Sequence, residues 1–231
     1  MNLKPPTISS NGLSEGGRSL GNHMNVHVGI NAKNRKGFLK QLNSAKRFLP
    51  KKIWLHVDVS DPEFSSFRSY FDFDTLKKYS SRFNFEAHLM LPDKKIYRYL
   101  KKPLKKIWVH VSAVRDWDEL IKKAKKLKIS VGAAIGIKEE KYKNKIPSDT
   151  NAIMVLAVTP GPSGQKFNKK ALNMISFLRK KYPRATIFID GGINLKIAKL
   201  LKQKGASEIL STSYIWQSEN PLRAYKQLRS I

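Results

Sequence analysis

Residues 186–203, TIFIDGGINLKIAKLLKQ, contain the reading that decides the fold. The run from Thr186 to Ile189 is β-branched and aromatic, with the length and composition of a buried strand. It ends in Asp190 and the turn pair Gly191-Gly192, and from Asn194 onward apolar residues recur at helical spacing. The same rhythm extends along the chain in both directions. Strands are expected at 26–30, 53–59, 84–90, 106–111, 129–135, 152–158, 186–190 and 207–212. Helices are expected near 36–48, 72–81, 93–101, 115–127, 138–144, 168–181, 194–203 and 219–229, with Asp74, Asn168 and Asn194 placed as N-terminal caps. Eight such units, with strands apolar enough to be buried on both faces, predict an α/β protein built as a single closed (β/α)₈ TIM barrel. An open doubly wound sheet would want a G-x-G-x-x-G turn after its first strand, and VGINAKNRKG has none.

The chain has 231 residues, enough for one barrel of the usual size of about 250. Residues 1–24 lack a period and are rich in glycine, proline and polar residues, so they read as a flexible N-terminal arm on a barrel domain at 25–231. No cysteine is present, which excludes disulfides, thiolate metal sites and cysteine nucleophiles. No apolar run approaches the roughly 20 residues of a membrane helix, and the first 24 residues lack the core of a signal peptide, so a cytoplasmic protein without a membrane partner is expected. The formal charge of +28 comes largely from lysine doublets spread over expected polar helix faces, such as Lys77-Lys78 and Lys122-Lys123. Nucleic acid is therefore the less favoured partner, whereas such a field draws in phosphorylated small molecules. The oligomeric state stays open, a homo-oligomer included.

Barrel enzymes carry their chemistry where strands end. His56 and Asp58 lie two apart and share a strand side, His88 ends the third strand, and Asp190 ends the seventh. Two imidazoles and two carboxylates converging there would suit one divalent cation, Zn²⁺, Fe²⁺, Mn²⁺ or Co²⁺, rather than calcium. His27 and His110 read as structural histidines. Three loops offer small residues to phosphate oxygens: Gly161, Ser163, Gly164 and Gln165 after strand six, Gly191 and Gly192 after strand seven, Thr212 and Ser213 after strand eight.

His56-Val57-Asp58-Val59 with Asp61, Ala87-His88-Leu89-Met90, Pro160-Gly161 through Gly164-Gln165-Lys166-Phe167, and Asp190-Gly191-Gly192-Ile193-Asn194 follow one another in an order that resembles the ribulose-phosphate 3-epimerase family and its allulose-6-phosphate relatives. The resemblance covers 26–229 and implies a ribulose-phosphate-binding barrel. It further implies a metal held by His56, Asp58, His88 and Asp190, with Asp58 and Asp190 as the acid/base pair that inverts C3 of a ketose phosphate such as D-ribulose 5-phosphate through an enediolate. Departures from the family pattern fall at Gly29 (usually serine), Ser60 and Leu156 (usually methionine), Pro62 (glycine), Ser112 (glutamate), Gly136-Ile137 (Asn-Pro) and Thr212 (glycine). They suggest a more polar, less tightly walled pocket with altered substrate choice or rate. The competing reading is a divergent barrel that binds a phospholigand or nucleic acid. A decarboxylase or aldolase would want a catalytic lysine inside the barrel, and no inward strand end offers one.

Overall fold

The computed structural model describes residues 23–65 and 67–231. The expected arm thus lies almost wholly outside the described residues. Its last expected member, Met24, is instead part of the core.

Eight strands form the barrel: β1 (Asn25–Ile30), β2 (Trp54–Ser60), β3 (Asn84–Met90), β4 (Leu104–His110), β5 (Ser130–Gly136), β6 (Ala152–Leu156), β7 (Thr186–Asp190) and β8 (Glu208–Ser211). Each pairs in parallel with its chain neighbour, and β8 closes on β1. Every expected strand is present, two with the expected ends and the others with ends shifted by at most two residues. Because strand residues alternate in direction, Leu55, Val57, Phe85, Ala87, Leu89, Ile107 and Val109 face the helices, while the residues between them face the barrel interior.

The helices follow their local signals. In α1 (Arg35–Phe48) Asn34 caps by accepting from the Gly37 N–H, and Phe38, Leu42 and Ala45 form the buried stripe. The cap of α2 (Phe73–Tyr79) is Asp72 rather than Asp74. Asp72 is extended and accepts from Thr75 N–H, whereas Asp74 lies in the first turn. The expected helix at 93–101 is a single turn, α3 (Asp93–Ile96), followed by a 3₁₀ turn at Tyr97–Tyr99. After α4 (Trp117–Lys126), the expected helix at 138–144 is a 3₁₀ helix, Glu140–Lys145. In α5 (Lys170–Lys181) the N-cap position is held by Lys169, and Asn168 acts one step early by accepting from Lys170 N–H. Asn194 caps α6 (Leu195–Gln203) as expected. A short helix that the periodicity did not reveal, α7 (Ser213–Trp216), precedes α8 (Pro221–Arg229). Among the described residues no helix is long and apolar enough to cross a membrane.

The barrel interior is filled by a separate cluster including Trp108, Ala134, Met154, Phe188 and Leu210. Trp108 stacks on Phe188 with ring centroids 5.0 Å apart. The indole occupies the space beside Gly132, where an added Cβ would come within 2.3 Å of it. Gly132→Ala therefore overpacks the interior and should destabilise the fold by about 1–3 kcal/mol, read as a lower thermal midpoint. An unchanged midpoint would show that the indole can move aside.

Candidate active site

Barrel geometry brings the interior residues of β2, β3 and β7 together at the carboxyl end. Asp58 is level with His88 across the β2–β3 ladder, and Asp190 ends β7. One donor atom from each of His56, Asp58, His88 and Asp190 lies within 4.8 Å of every other. Asp58 Oδ1 is 3.6 Å from His56 Nε2 and 3.7 Å from His88 Nδ1, and His88 Nδ1 is 3.7 Å from Asp190 Oδ2. Both imidazoles are fully buried. Yet His56 Nε2, Asp58 Oδ1 and His88 Nδ1 are buried with no hydrogen-bond partner among the described residues. Three polar atoms orphaned around one point would be costly to keep unless something joins them. The 3.6–3.7 Å separations are close to the roughly 3.4 Å edge of a tetrahedron of ligands about 2.1 Å from a centre, so the donor set could hold a divalent cation.

The other atoms of these side chains are tied down. Asp58 Oδ2 accepts from Asn31 Nδ2 at 2.9 Å, and the same amide reaches Gly161 O at 3.3 Å, linking the aspartate to the loop after β6. His56 Nδ1 lies 2.7 Å from Glu86 Oε1, which is also 2.6 Å from His27 Nδ1. His88 Nε2 meets His110 Nε2 at 2.8 Å, and His110 Nδ1 meets Glu139 Oε2 at 2.6 Å. His27 and His110, expected as structural histidines, are buried and reach the cluster through Glu86 and His88. Asn31, Glu86 and Glu139 were not anticipated. Glu86 carried a usable signal, being two before His88 in an otherwise apolar strand; Glu139 lies in a connection and carried none.

Charge sorts the four candidates. Burial drives His56 toward neutrality, but the Asp58 and Glu86 carboxylates on either side prevail and hold its pKa at about 10. Burial, with His110 and His56 close by, pushes His88 down to about 4 despite Asp58. Burial opposes ionisation of Asp58, yet the two imidazoles lower it well below the usual carboxylate range. For Asp190, burial and the Asp58 charge outweigh the pull of His56 and raise it to about 7.

Above the cluster opens a cleft. It is lined by all eight expected phosphate-loop residues, Gly161, Ser163, Gly164, Gln165, Gly191, Gly192, Thr212 and Ser213, with Met90 and Leu156 among its walls. Two departures turn out to be coupled. A Cβ on Gly29 would lie 1.9 Å from Thr212 Oγ1, so the Thr212 side chain occupies the volume that a residue-29 side chain would fill. Ser60 turns away and bonds Ser65. Asp61 accepts from Lys95 Nζ at 2.9 Å, tying the β2 loop to α3.

Gly29→Ser alone should therefore clash and lower the thermal midpoint, while Gly29→Ser with Thr212→Gly should recover most of the loss. Melting curves of the four members of this cycle measure the coupling, expected to be about 1–3 kcal/mol. Additive effects would mean that the two positions do not share the volume.

A sequence profile of the ribulose-phosphate 3 epimerase family matches residues 26–216. Among curated relatives, ribulose-phosphate 3-epimerase of Schizosaccharomyces pombe is 27% identical over 198 residues, covering 77% of this chain and 81% of the relative. The cytoplasmic isoform of ribulose-phosphate 3-epimerase from Oryza sativa subsp. japonica is 29% identical over 188 residues, covering 76% and 81%. Among solved structures, orotidine 5'-monophosphate decarboxylase from Sulfolobus solfataricus aligns over 89% of this chain and 96% of its own with a TM-score of 0.58, but at 15% identity that likeness speaks for the fold alone. With the profile spanning all eight strands, the chain belongs to the ribulose-phosphate 3 epimerase family.

Proposed function

We propose that the chain is a metal-dependent ketose-phosphate 3-epimerase that interconverts D-ribulose 5-phosphate and D-xylulose 5-phosphate. The observation that carries this is the set of orphaned donor atoms at the floor of a cleft whose rim is built from small-residue loops. His56, Asp58, His88 and Asp190 would hold one divalent cation. When bound, it supplies the positive charge that polarises the ketone and makes the C3 proton more acidic.

The protein's own residues do the rest. Gly161, Ser163, Gly164, Gln165, Gly191, Gly192, Thr212 and Ser213 receive the phosphate end, and the lysine-rich surface raises the local concentration of such anions. The depressed Asp58 and the elevated Asp190 provide one carboxylate ready to accept a proton and one ready to give it near neutral pH. One aspartate takes the C3 proton, leaving the enediolate, and the other delivers a proton to the opposite face. The configuration is inverted, and the pair ends with its proton moved from one carboxylate to the other. Asn31 holds Asp58 Oδ2 so that Oδ1 faces the cluster. Met90 and Leu156 wall the pocket against water, which would reprotonate the intermediate without facial choice. The barrel domain, with Met24 already in its core, is read as the catalytic unit of a cytoplasmic enzyme.

The test is NMR of D-ribulose 5-phosphate in D₂O with the purified protein and Zn²⁺, Mn²⁺, Fe²⁺ or Co²⁺. Deuterium should enter C3 as xylulose 5-phosphate appears, and Asp58→Asn and Asp190→Asn should each slow both by about 10²–10⁴-fold. Exchange only with allulose 6-phosphate would reassign the substrate, and exchange with neither would sink the proposal.

A proton must leave His56 before its Nε2 can bind a cation. With that imidazole at about 10, affinity should rise with pH across the neutral range. Calorimetry of Zn²⁺ binding at pH 7 in buffers of different ionisation enthalpy should record net proton release. Uptake, or no proton change, would remove His56 from the ligand set.

A further inference from the structure

The Glu139–His110 pair takes no part in the proton transfers above, yet it ends on one of the donor residues. Glu139 Oε2 accepts from Gly136 N–H at 2.7 Å, and Oε1 accepts the Ser112 hydroxyl. Gripped by two donors, the carboxylate has only acceptor capacity left for His110, so the proton in the 2.6 Å contact belongs to His110 Nδ1. A neutral imidazole with its proton there is bare at Nε2. The 2.8 Å contact with His88 Nε2 must then be filled by a proton that His88 donates. The second nitrogen of His88 is left with a free lone pair, and that is the orphaned Nδ1 facing Asp58 and Asp190 at 3.7 Å. The opposite arrangement would put a proton on His88 Nδ1 with no acceptor closer than that, too far for a hydrogen bond.

We propose that Glu139, acting through His110, is a positioning residue that locks His88 in the tautomer able to bind a metal ion. This rests on the reading of the cluster as a metal site. The lock is built into the connection after β5, where the Glu139 N–H bonds Gly136 O at 2.8 Å and closes the turn that sends its side chain back over the barrel mouth. Without that turn the carboxylate would not reach β4.

The experiment has two readouts on the full chain. Long-range ¹⁵N–¹H NMR, with and without Zn²⁺, reports which nitrogens of His110 and His88 carry protons. Competition with a chromogenic chelator reports Zn²⁺ affinity. The expected result is His110 protonated at Nδ1 and bare at Nε2. Glu139→Gln, whose amide can donate in place of accepting, should perturb that pattern and weaken Zn²⁺ binding about 10–100-fold. Glu139→Ala should weaken it similarly. Ser112→Glu added to Glu139→Ala should restore it, because residue 112 already touches the same carboxylate. A His110 proton on Nε2 in the unaltered chain, or a folded Glu139→Gln with unchanged affinity, overturns the lock. If the unaltered chain takes up no Zn²⁺, the metal reading fails instead, and the lock is judged on the His110 proton alone.

Discussion

Alternation along eight parallel strands is the constraint on which the rest of this structure depends. Each strand must give every second residue to the interior, and the barrel is too narrow to leave those residues in water. Part of the demand is met by packing, with Trp108 stacked on Phe188 and Gly132 leaving space for the indole. At the carboxyl end it is met by ionisable groups, because His56, Asp58, His88 and Asp190 occupy the same inward parity. A one-residue slip in β2 would turn His56 and Asp58 outward and bring Leu55 and Val57 in, destroying core and site together.

Burying so many ionisable groups is made tolerable by pairing them with one another. Glu86 is fully buried, but two imidazoles lie within 2.7 Å of one of its oxygens, and together they keep it well below the ordinary carboxylate range against the effect of burial. Glu139 performs a similar service for His110, helped by a backbone N–H and a hydroxyl. These carboxylates orient imidazoles and leave the opposite nitrogens facing the cluster. Three of the buried atoms left without a partner, His56 Nε2, Asp58 Oδ1 and His88 Nδ1, meet at one point in the barrel mouth, where rigidity serves binding.

The fold was legible because its signal is repetitive. Eight apolar runs at regular spacing leave little choice of architecture, and the four donor residues stand out as charges at the ends of apolar strands. The helices were less legible where tertiary contacts outweigh propensity. The stretch after β5 reads as helical, but Glu139 is recruited to Gly136 and His110, and a 3₁₀ turn results. Asp74 resembles a cap as much as Asp72 does, and only the backbone angle at Asp72 separates them. Asn31 lies just past the end of β1, and nothing in its neighbourhood announces a bond to Asp58 on the next strand.

The departures from the family pattern are where residue-by-residue reading misleads most. Serine replaced by glycine at position 29 looks like a lost hydroxyl, and glycine replaced by threonine at 212 looks like an obstruction of the phosphate loop. In space they are one exchange, since the Thr212 hydroxyl stands where a residue-29 side chain would be. Ser112 likewise looks like a lost carboxylate, while Glu139 brings a carboxylate to its hydroxyl and to His110 from another strand connection. Close packing explains why such substitutions travel in pairs, because a volume emptied on one strand must be refilled from its neighbour or remain a destabilising void. A pocket can therefore keep its groups while its sequence positions trade them, and the expectation of a more polar, more open pocket weakens at both of these points.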